Sequence, residues 1–339
     1  MRGLAAVFVF FYHLGQYFPL RLAPSGYLAV DFFFVLSGFV LTRAYEPRIR
    51  AGLSFTRFTE MRLIRVYPLF AMGVALGLIK ALAAIGLRDD RAMTSPELIS
   101  AIAANGLMLP SPLTTELFPL NQPGWSLFFE VIINLAFALW LFRARSVWLV
   151  AVAGIGIALF APPTIGIGHL NVGWDWATFG AGAGRTMYSF CVGALLARHL
   201  DPARLGRLRS WPCALVSAAI LLAMFHFVVA PGLRPAYDLV AALLVGPALV
   251  AFGSQLALSP AIERAAQVLG DLSFPIYAIH FPVLLIVRVV LQKMHLEIWA
   301  QIVGICAAVL IAACVAMKID TLVRARVSNR LRARRSARA

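Results

Sequence analysis

The chain has few charged residues and few cysteines. Only 13% of its residues are charged and 61% are hydrophobic, whereas about a quarter of a soluble domain is charged. This composition excludes a soluble globular domain and is typical of a polytopic membrane protein. No cysteine spacing indicates a metal site or a disulfide framework, and all four fall in predicted spans. We interpret them as buried packing thiols: Cys191, Cys213, Cys306 and Cys314.

Acidic residues and lysines are also scarce. The net charge is +15, and only three of the 30 basic residues are lysines. A large positive charge often indicates nucleic-acid binding, but here the arginines lie in short loops beside apolar runs. Membrane topology explains them there, so we predict contact with the lipid bilayer and no nucleic-acid partner.

Apolar windows predict an all-α membrane protein with about ten transmembrane helices. The predicted spans are residues 3–18, 27–44, 66–87, 124–142, 146–161, 185–199, 211–230, 237–257, 271–291 and 298–317. Ten crossings place every strongly basic loop on one face, with both termini in the cytoplasm. The basic residues assigned to that face are Arg43, Arg48, Arg50, Arg57, Arg62, Arg65, Arg143, Arg145, Arg198, Arg204, Arg207, Arg209, Arg264 and the arginines beyond Lys318, Arg338 among them.

Two segments test this count of transmembrane helices. Pro96–Pro110 is moderately apolar, but a crossing there would invert every later loop, so we predict a short or re-entrant helix on the outer side. The first span resembles a signal peptide, but it contains a histidine and no small-residue cleavage pattern, so we predict a retained helix. The predicted domains are a membrane domain, 1–322, and a basic cytoplasmic tail, 323–339.

His13 is the most informative single residue. It interrupts the apolar run from Gly3 to Phe18, where an ionisable group is costly in lipid and usually marks function. Arg2 precedes it by eleven residues, which returns to within about 20° of the same helix face and spans about 16 Å. One stripe therefore carries a cation at the membrane edge and an imidazole deeper in. That arrangement suits a ligand that enters by its anionic end and reacts at its far end.

The other predicted spans also contain polar residues. Single Ser and Asn residues in spans are often interhelical hydrogen-bonding groups, and we favour that interpretation for Ser37, Ser126, Asn134 and Ser273. It is weakest for the ionisable His13 and Glu130, which lie several residues deep. The remaining candidates are Asp31, the pair Arg62 and Arg65 at i,i+3 spacing, Trp125, Tyr277 and His280.

Five motifs in one order resemble the acyltransferase-3 family of integral membrane O-acyltransferases. They are Arg2-Gly3-Leu4 with His13, Val30-Asp31 to Ser37-Gly38-Phe39, Arg62-x-x-Arg65-x-x-Pro68, Trp125-Ser126-Leu127 with Glu130, and Leu269-Gly270-Asp271 to Ser273, Tyr277, His280 and Pro282. Each motif is weak alone, but five in order from residue 2 to residue 282 are specific.

The resemblance implies ten spans in a bacterial cytoplasmic (inner) membrane and acyl transfer, often acetyl, from cytoplasmic acyl-CoA. It implies an acceptor that is an extracytoplasmic glycan or a small hydroxylated molecule, and no metal. Relatives usually carry several residues before the first motif, and many carry a fused esterase-like domain. Here Met1 directly precedes Arg2, so we expect either a start placed late or a trimmed chain.

Acyl transfer to a hydroxyl needs a base, and imidazole titrates near working pH. We expect His13 to be that base, or alternatively a transient acyl carrier, with Glu130 or Asp31 orienting its ring. Arg2, Arg62 and Arg65 are expected to bind the phosphates of CoA through forked hydrogen bonds. His280, Tyr277, Trp125 and Ser126 are the candidates for acceptor binding.

A different class of protein remains open at this stage. Spans that carry His, Asp and Glu near the bilayer midplane also suit a proton-coupled secondary transporter. The absence of a convincing internal repeat and the arginine pair beside a long basic loop favour the enzyme. Within the enzyme class, succinyl or longer acyl groups remain alternatives to acetyl.

Overall fold

The computed structural model describes residues 1–19, 21–90, 92–200, 211–256 and 260–336. The regular elements in these ranges are helices, which confirms the all-α class. Arg204, Arg207, Arg209 and Arg338, which were assigned to the cytoplasmic face, lie outside the described residues. The helices are α1 (Arg2–Gly15), α2 (Ala29–Arg50), α3 (Phe55–Gly86), α4 (Ser95–Gly106), α5 (Gly124–Ala136, continued by a π-helical turn over Phe137–Leu141), α6 (Ser146–Ile167), α7 (Phe179–His199), α8 (Trp211–His226), α9 (Arg234–Val240), α10 (Gly246–Gly253), α11 (Pro260–Lys293) and α12 (Ile298–Ser336).

The chain is a multi-pass membrane protein. Seven of the described helical stretches are long and apolar enough to cross a bilayer, and two apolar helices are shorter, Arg2–Gly15 and Pro212–His226. Helix α7 is less apolar because it contains Arg185. Each of the ten predicted spans coincides with one of these helices or, for the eighth, with α9 and α10 joined by a π-helical turn. The number of crossings and the side of each terminus stay predictions.

Two compact units make up the chain. The first comprises Met1–Phe55 and Phe129–Ser273, and the second comprises Thr56–Phe128 and Phe274–Ala339. The boundaries fall inside helices, so the sequence carries no linker that would have predicted them. Within the first unit Cys191 is buried, as predicted for a packing thiol, whereas Cys213, Cys306 and Cys314 are partly exposed.

Helices α2 and α7 of the first unit run parallel. Arg185 pairs with Asp31 near their N-terminal ends, and Arg198 pairs with Glu46 near their C-terminal ends, about 20 Å further along at 1.5 Å per residue. Between these ion pairs Gly38 lies against the backbone carbonyl of Phe190, where a Cβ atom would collide. The helices therefore pack backbone to backbone, as small residues allow in membranes.

Helices α6 and α7 run antiparallel. Ser146, at the start of α6, hydrogen-bonds His199, at the end of α7, over 2.7 Å. Further along, the rings of Phe160 and Tyr188 meet at 6.1 Å between centroids. The relative directions of α2, α6 and α7 agree with the predicted alternation of spans, whereas the identity of the cytoplasmic face stays a prediction.

Two arginines that the sequence explains by topology also cap a helix. Arg50 donates to the carbonyl of Phe142 over 2.7 Å, and Arg198 donates to the carbonyl of Ala144 over 2.7 Å. These carbonyls follow the end of α5, where helix carbonyls lack intrahelical partners and cations are favoured. Glu46 accepts from both guanidinium groups, so one carboxylate holds both arginines at this helix end.

The second unit contains the segment that was predicted as a short or re-entrant helix. Helix α4 has 12 residues and ends beside the middle of α3, where Tyr67 donates to the carbonyl of Gly106 over 2.7 Å. The chain then returns without helical structure past Gly73 and Gly77, where added Cβ atoms would collide with it. Non-helical backbone is tolerated at membrane depth only when protein buries it. Leu117 and Phe118 in this segment are fully buried.

A capping box begins α4. Thr94 is the N-cap residue, and hydrogen bonds from its backbone and hydroxyl hold the pKa of Glu97 below its ordinary value.

Helix α12 has 39 residues, which is about 58 Å. It continues through most of the predicted basic tail, 323–339, up to Ser336, so the boundary proposed at residue 322 does not coincide with a helix end.

Candidate active site

His13 lies in the last turn of α1, which ends at Gly15 rather than at residue 18 as predicted. Its Nδ1 atom is 2.9 Å from the carbonyl oxygen of Val9. A carbonyl oxygen can only accept, so Nδ1 carries the proton and, in a neutral ring, the lone pair is on Nε2. The edge of the ring also faces Tyr12, with 5.2 Å between the centroids. The backbone of α1 therefore fixes the tautomer that a general base requires.

Asp31 is committed to a buried ion pair. Arg185 Nε lies 2.9 Å from Asp31 Oδ1, and Arg185 Nη2 lies 2.7 Å from Oδ2. The side chains are only 1% and 3% exposed. Arg185 also donates to the carbonyls of Val172 and Tyr27. These bonds tie α2, α7 and the segment that precedes α7 together, so the geometry gives Asp31 a structural role.

Arg185 is the functional-site neighbour that the sequence interpretation missed. It opens a predicted span on the face that was expected to be poor in charge. A lone arginine at that position requires a buried partner, and Asp31 enters from the same face. That pairing of an acid and a base at one depth was the signal available in the sequence.

Glu130 is on α5 in the first unit and is partly buried. Ser37 donates to its Oε1 atom over 3.2 Å, which joins the second and fourth sequence motifs. The prediction that Ser37 is an interhelical hydrogen-bonding residue is thus confirmed. The first and fifth motifs also meet, because Gly3 lies against the backbone of Leu269, where a Cβ atom would collide.

The other two polar residues of these motifs behave differently. Ser273 donates to the carbonyl of Gly270 in its own helix over 2.5 Å. Asn134 is fully buried, yet neither atom of its amide has a hydrogen-bond partner among the residues that the structure describes. The prediction of interhelical hydrogen bonds is therefore wrong for both, because Ser273 bonds within its own helix and the Asn134 amide meets no partner in the described ranges.

The second unit holds a pair of hydroxyl groups. Ser126 donates to the carbonyl of Pro123 over 3.0 Å and is in very short contact with the hydroxyl of Tyr277. Because the serine proton is used by that carbonyl, Tyr277 donates to Ser126. This contact joins the fourth and fifth motifs and confirms the interhelical role predicted for Ser126. Trp125, the preceding residue, is only 7% exposed.

His280 lies one turn beyond Tyr277 and is fully buried. Its Nδ1 atom is 3.0 Å from the carbonyl of Ile276 and 2.9 Å from that of Tyr277. Both partners are acceptors, so its proton is also on Nδ1. The rings of Tyr277 and His280 are 6.1 Å apart between centroids, which places the hydroxyl pair and this imidazole in one polar region.

The two arginines of the pair predicted on α3 differ in solvent exposure. Arg62 is 6% exposed, whereas Arg65 is exposed. The charges of Arg65 and of Arg324 on α12 repel one another, and Arg324 is already ion-paired with Asp320 of its own helix. Arg2, the third predicted phosphate ligand, opens α1 in the first unit and is partly exposed.

The whole motif set falls within one family match. The acyltransferase-3 family, whose model is described as an acyltransferase domain, matches residues 1–317. The chain belongs to the acyltransferase-3 family. The matched range includes the whole first unit, most of the second, and every candidate residue from Arg2 to His280.

Three curated proteins are similar to this acyltransferase. Over 175 residues it is 37% identical to protein 2 in the picA locus of Rhizobium radiobacter, which covers 48% of the chain and 91% of the relative. It is 31% identical over 136 residues to the exopolysaccharide production protein ExoZ of Rhizobium meliloti (strain 1021), covering 40% of each. It is 31% identical over 189 residues to the acyltransferase MdmB of Streptomyces mycarofaciens, covering 49% of the chain and 45% of the relative.

These coverages limit what the relatives say about the whole molecule. The chain spans nearly all of the first relative but less than half of the other two. No solved structure matches the chain.

Proposed function

We propose that this protein is an O-acyltransferase that moves an acyl group, acetyl in the first instance, from cytoplasmic acyl-CoA to a hydroxyl of an extracytoplasmic glycan or a small hydroxylated acceptor. The setting is a bacterial cytoplasmic membrane. The observation that carries the proposal is the orientation of His13. Its protonated Nδ1 is held by a backbone carbonyl, so Nε2 is the basic nitrogen.

The chemistry assigned to His13 is general base catalysis. Nε2 takes the proton of the acceptor hydroxyl as that oxygen attacks the thioester carbonyl. A carbon–oxygen bond forms, the carbon–sulfur bond breaks, and the departing thiolate takes the proton from the imidazolium. The carbonyl end of α1 carries partial negative charge, which stabilises the imidazolium that forms in the last helical turn. The alternative, an acyl group carried on His13 itself, uses the same nitrogen.

We assign the supporting carboxylate to Glu130. Of the two carboxylates that the sequence left open, Asp31 uses both oxygens to bind Arg185. Glu130, which is partly buried, accepts a hydrogen bond at Oε1 from the hydroxyl of Ser37. A carboxylate near a reacting imidazole stabilises the cation that forms.

The arginines and the hydroxyl cluster complete the assignment. Arg2, Arg62 and Arg65 are the proposed ligands of the donor's phosphates, which guanidinium groups bind through forked hydrogen bonds. Trp125, Ser126, Tyr277 and His280 are the proposed acceptor-binding residues. The printed name of the ExoZ relative, which refers to exopolysaccharide production, supports a glycan acceptor.

The decisive experiment uses the purified protein in liposomes with acyl-CoA labelled in the acyl group. An acyltransferase releases free CoA and transfers the label to a hydroxylated acceptor or to water. A proton-coupled transporter leaves the thioester intact and instead moves protons with its cargo. Intact thioester in the presence of active proton flux would replace the enzyme with the transporter.

A further inference from the structure

A buried amide without partners lies one turn along α5 from Glu130. Asn134 is fully buried, and within the described part of the chain neither its Nδ2 nor its Oδ1 atom is hydrogen-bonded. Two buried hydroxyls of the same unit, Thr42 on α2 and Ser189 on α7, also have no partner there. A buried polar group that is left unsatisfied destabilises the fold. Orphaned polar groups of this kind require an explanation.

The contacts of α2 with α5 and α7 place these three groups near one another along the helix axes. Ser37 contacts Glu130 and Arg50 contacts Phe142, so α2 and α5 run parallel and stay in register along their length. That register places Thr42 at the level of Asn134. Gly38 lies against Phe190, and this contact places Ser189 at the level of Ser37. The unsatisfied groups therefore occupy two adjacent levels, at Glu130 and one turn beyond it.

A ligand that fits Asn134 has both a donor and an acceptor, because the side-chain amide offers one of each. A secondary amide matches it: its N–H donates to Oδ1 and its carbonyl accepts from Nδ2. The pantetheine arm of CoA carries such an amide two methylene groups from the thioester sulfur. The amide nitrogen and the thioester carbonyl are therefore about as far apart as Asn134 and Glu130, whose four-residue spacing corresponds to about 6 Å along the helix.

We propose that Asn134 binds the pantetheine amide nearest the thioester. This inference rests on the proposed function, since it takes acyl-CoA as the donor and Glu130 as part of the reacting site. In the predicted topology Asn134 is on the cytoplasmic side of Glu130, so an arm that enters from the cytoplasm passes Asn134 first. Thr42 and Ser189 supply further hydrogen-bonding groups along the same path. Binding of the amide holds the thioester one turn away, at the level of Glu130.

The test compares two short donors that differ in one atom. One is the acetyl thioester of N-acetylcysteamine, which contains the amide, and the other replaces its NH group with an ester oxygen. The wild-type protein is expected to favour the amide donor by about tenfold in kcat/KM, the value of one hydrogen bond. Asn134→Leu removes the amide but keeps the branching and the number of heavy atoms of the side chain, and we expect it to use the two donors equally.

A matched control is available in the second unit. Asn105 is also fully buried, and its Oδ1 atom also has no partner among the described residues, but its Nδ2 atom donates to the carbonyls of Leu109 and Leu117. Asn105→Leu is expected to lower the thermal unfolding midpoint and keep the tenfold preference. Asn134→Leu is expected to raise that midpoint, because it removes an unsatisfied buried group.

Three outcomes would overturn the inference. These are equal use of both donors by the wild type, a preference retained in Asn134→Leu, or a preference retained in Asn134→Ala, which serves if the leucine variant does not fold. Stabilisation by CoA in a thermal shift assay gives a readout that needs no turnover, and it must fall in both Asn134 variants. If the wild type instead consumes no thioester and yet is stabilised by CoA through Asn134, the proposed function fails while this binding site stands.

Discussion

The same helices of the first unit contain two buried polar levels that differ in how well they are satisfied. At one level, the guanidinium group of Arg185 donates hydrogen bonds to Asp31 and to the carbonyls of Val172 and Tyr27. At the other, the amide of Asn134 and the hydroxyl of Thr42 have no partner. The first level is complete without a ligand, whereas the second is not. A residue that holds the fold should therefore fail by unfolding, and a residue that binds substrate should fail by losing activity alone.

The largest expected effect is a loss of activity without a loss of stability. His13→Ala should reduce acyl transfer by about 10²–10⁴-fold, the usual contribution of a general base, while the thermal unfolding midpoint stays near that of the wild type. His226→Ala is the matched control, because His226 also ends an apolar helix and binds a carbonyl through Nδ1 at 2.9 Å. Near-normal turnover by His13→Ala would remove this residue from the chemistry.

The opposite pattern is expected for the ion pair. Arg185→Met leaves the Asp31 carboxylate buried without its cation, which should lower the free energy of unfolding by about 3–5 kcal/mol. The double variant Asp31→Leu with Arg185→Met should recover most of that loss, because no charge remains buried. Denaturation in detergent measures both. If Arg185→Met lost activity at wild-type stability, the distinction between the two levels would be broken.

Glu130→Gln tests whether this carboxylate stabilises the fold, like Asp31, or acts in the reaction. The glutamine still accepts from Ser37, so stability should change little, but the charge that stabilises the imidazolium is lost. We expect kcat to fall by about 10–100-fold with little change in the KM of either substrate. Ser37→Ala is the control and should have a smaller effect on kcat. A stability loss comparable to that of Arg185→Met would make Glu130 a structural residue.

The smallest effect extends the comparison to the second unit. Arg65→Ala should raise the KM for acyl-CoA by about tenfold, the value of a charge-assisted hydrogen bond, and leave the KM for the acceptor unchanged. Arg57→Ala serves as the control, because Arg57 is paired with Glu60 at 2.9 Å on the same helix. A change confined to the acceptor KM would contradict the assignment of Arg65 to the donor's phosphates.

The sequence was sufficient to predict the helices and two of the residues that bond between them. Hydropathy located each predicted span because lipid demands long apolar helices. Ser37 and Ser126, which were expected to be interhelical hydrogen-bonding groups, do bond across helices. The partner of Asp31 was not predicted, because it depends on which helices are neighbours, and Arg185 is distant in sequence. The missing partners of Asn134 had the same cause, since one helix face does not reveal what the facing helix presents.

The end of α1 illustrates a second limit. Apolar character continues to Phe18, but the helix stops at Gly15, so hydropathy alone placed His13 too far from a helix end. The division into two units was equally hidden, because its boundaries fall within α5 and α11. Composition indicates which segments lie in lipid. It does not indicate which parts of a helix pack in one compact unit and which in the other.

The length of α12 sets how this protein meets the bilayer surface. A helix of 39 residues is about twice as long as the hydrocarbon layer is thick, at 1.5 Å per residue against about 30 Å. At ordinary tilts nearly half of it must therefore run among or beyond the lipid headgroups. That half includes Arg324, Arg326 and Arg330, which carry positive charge into the zone where anionic lipids concentrate. The protein thus has a rigid, cationic extension whose surroundings change with the lipid composition of its membrane.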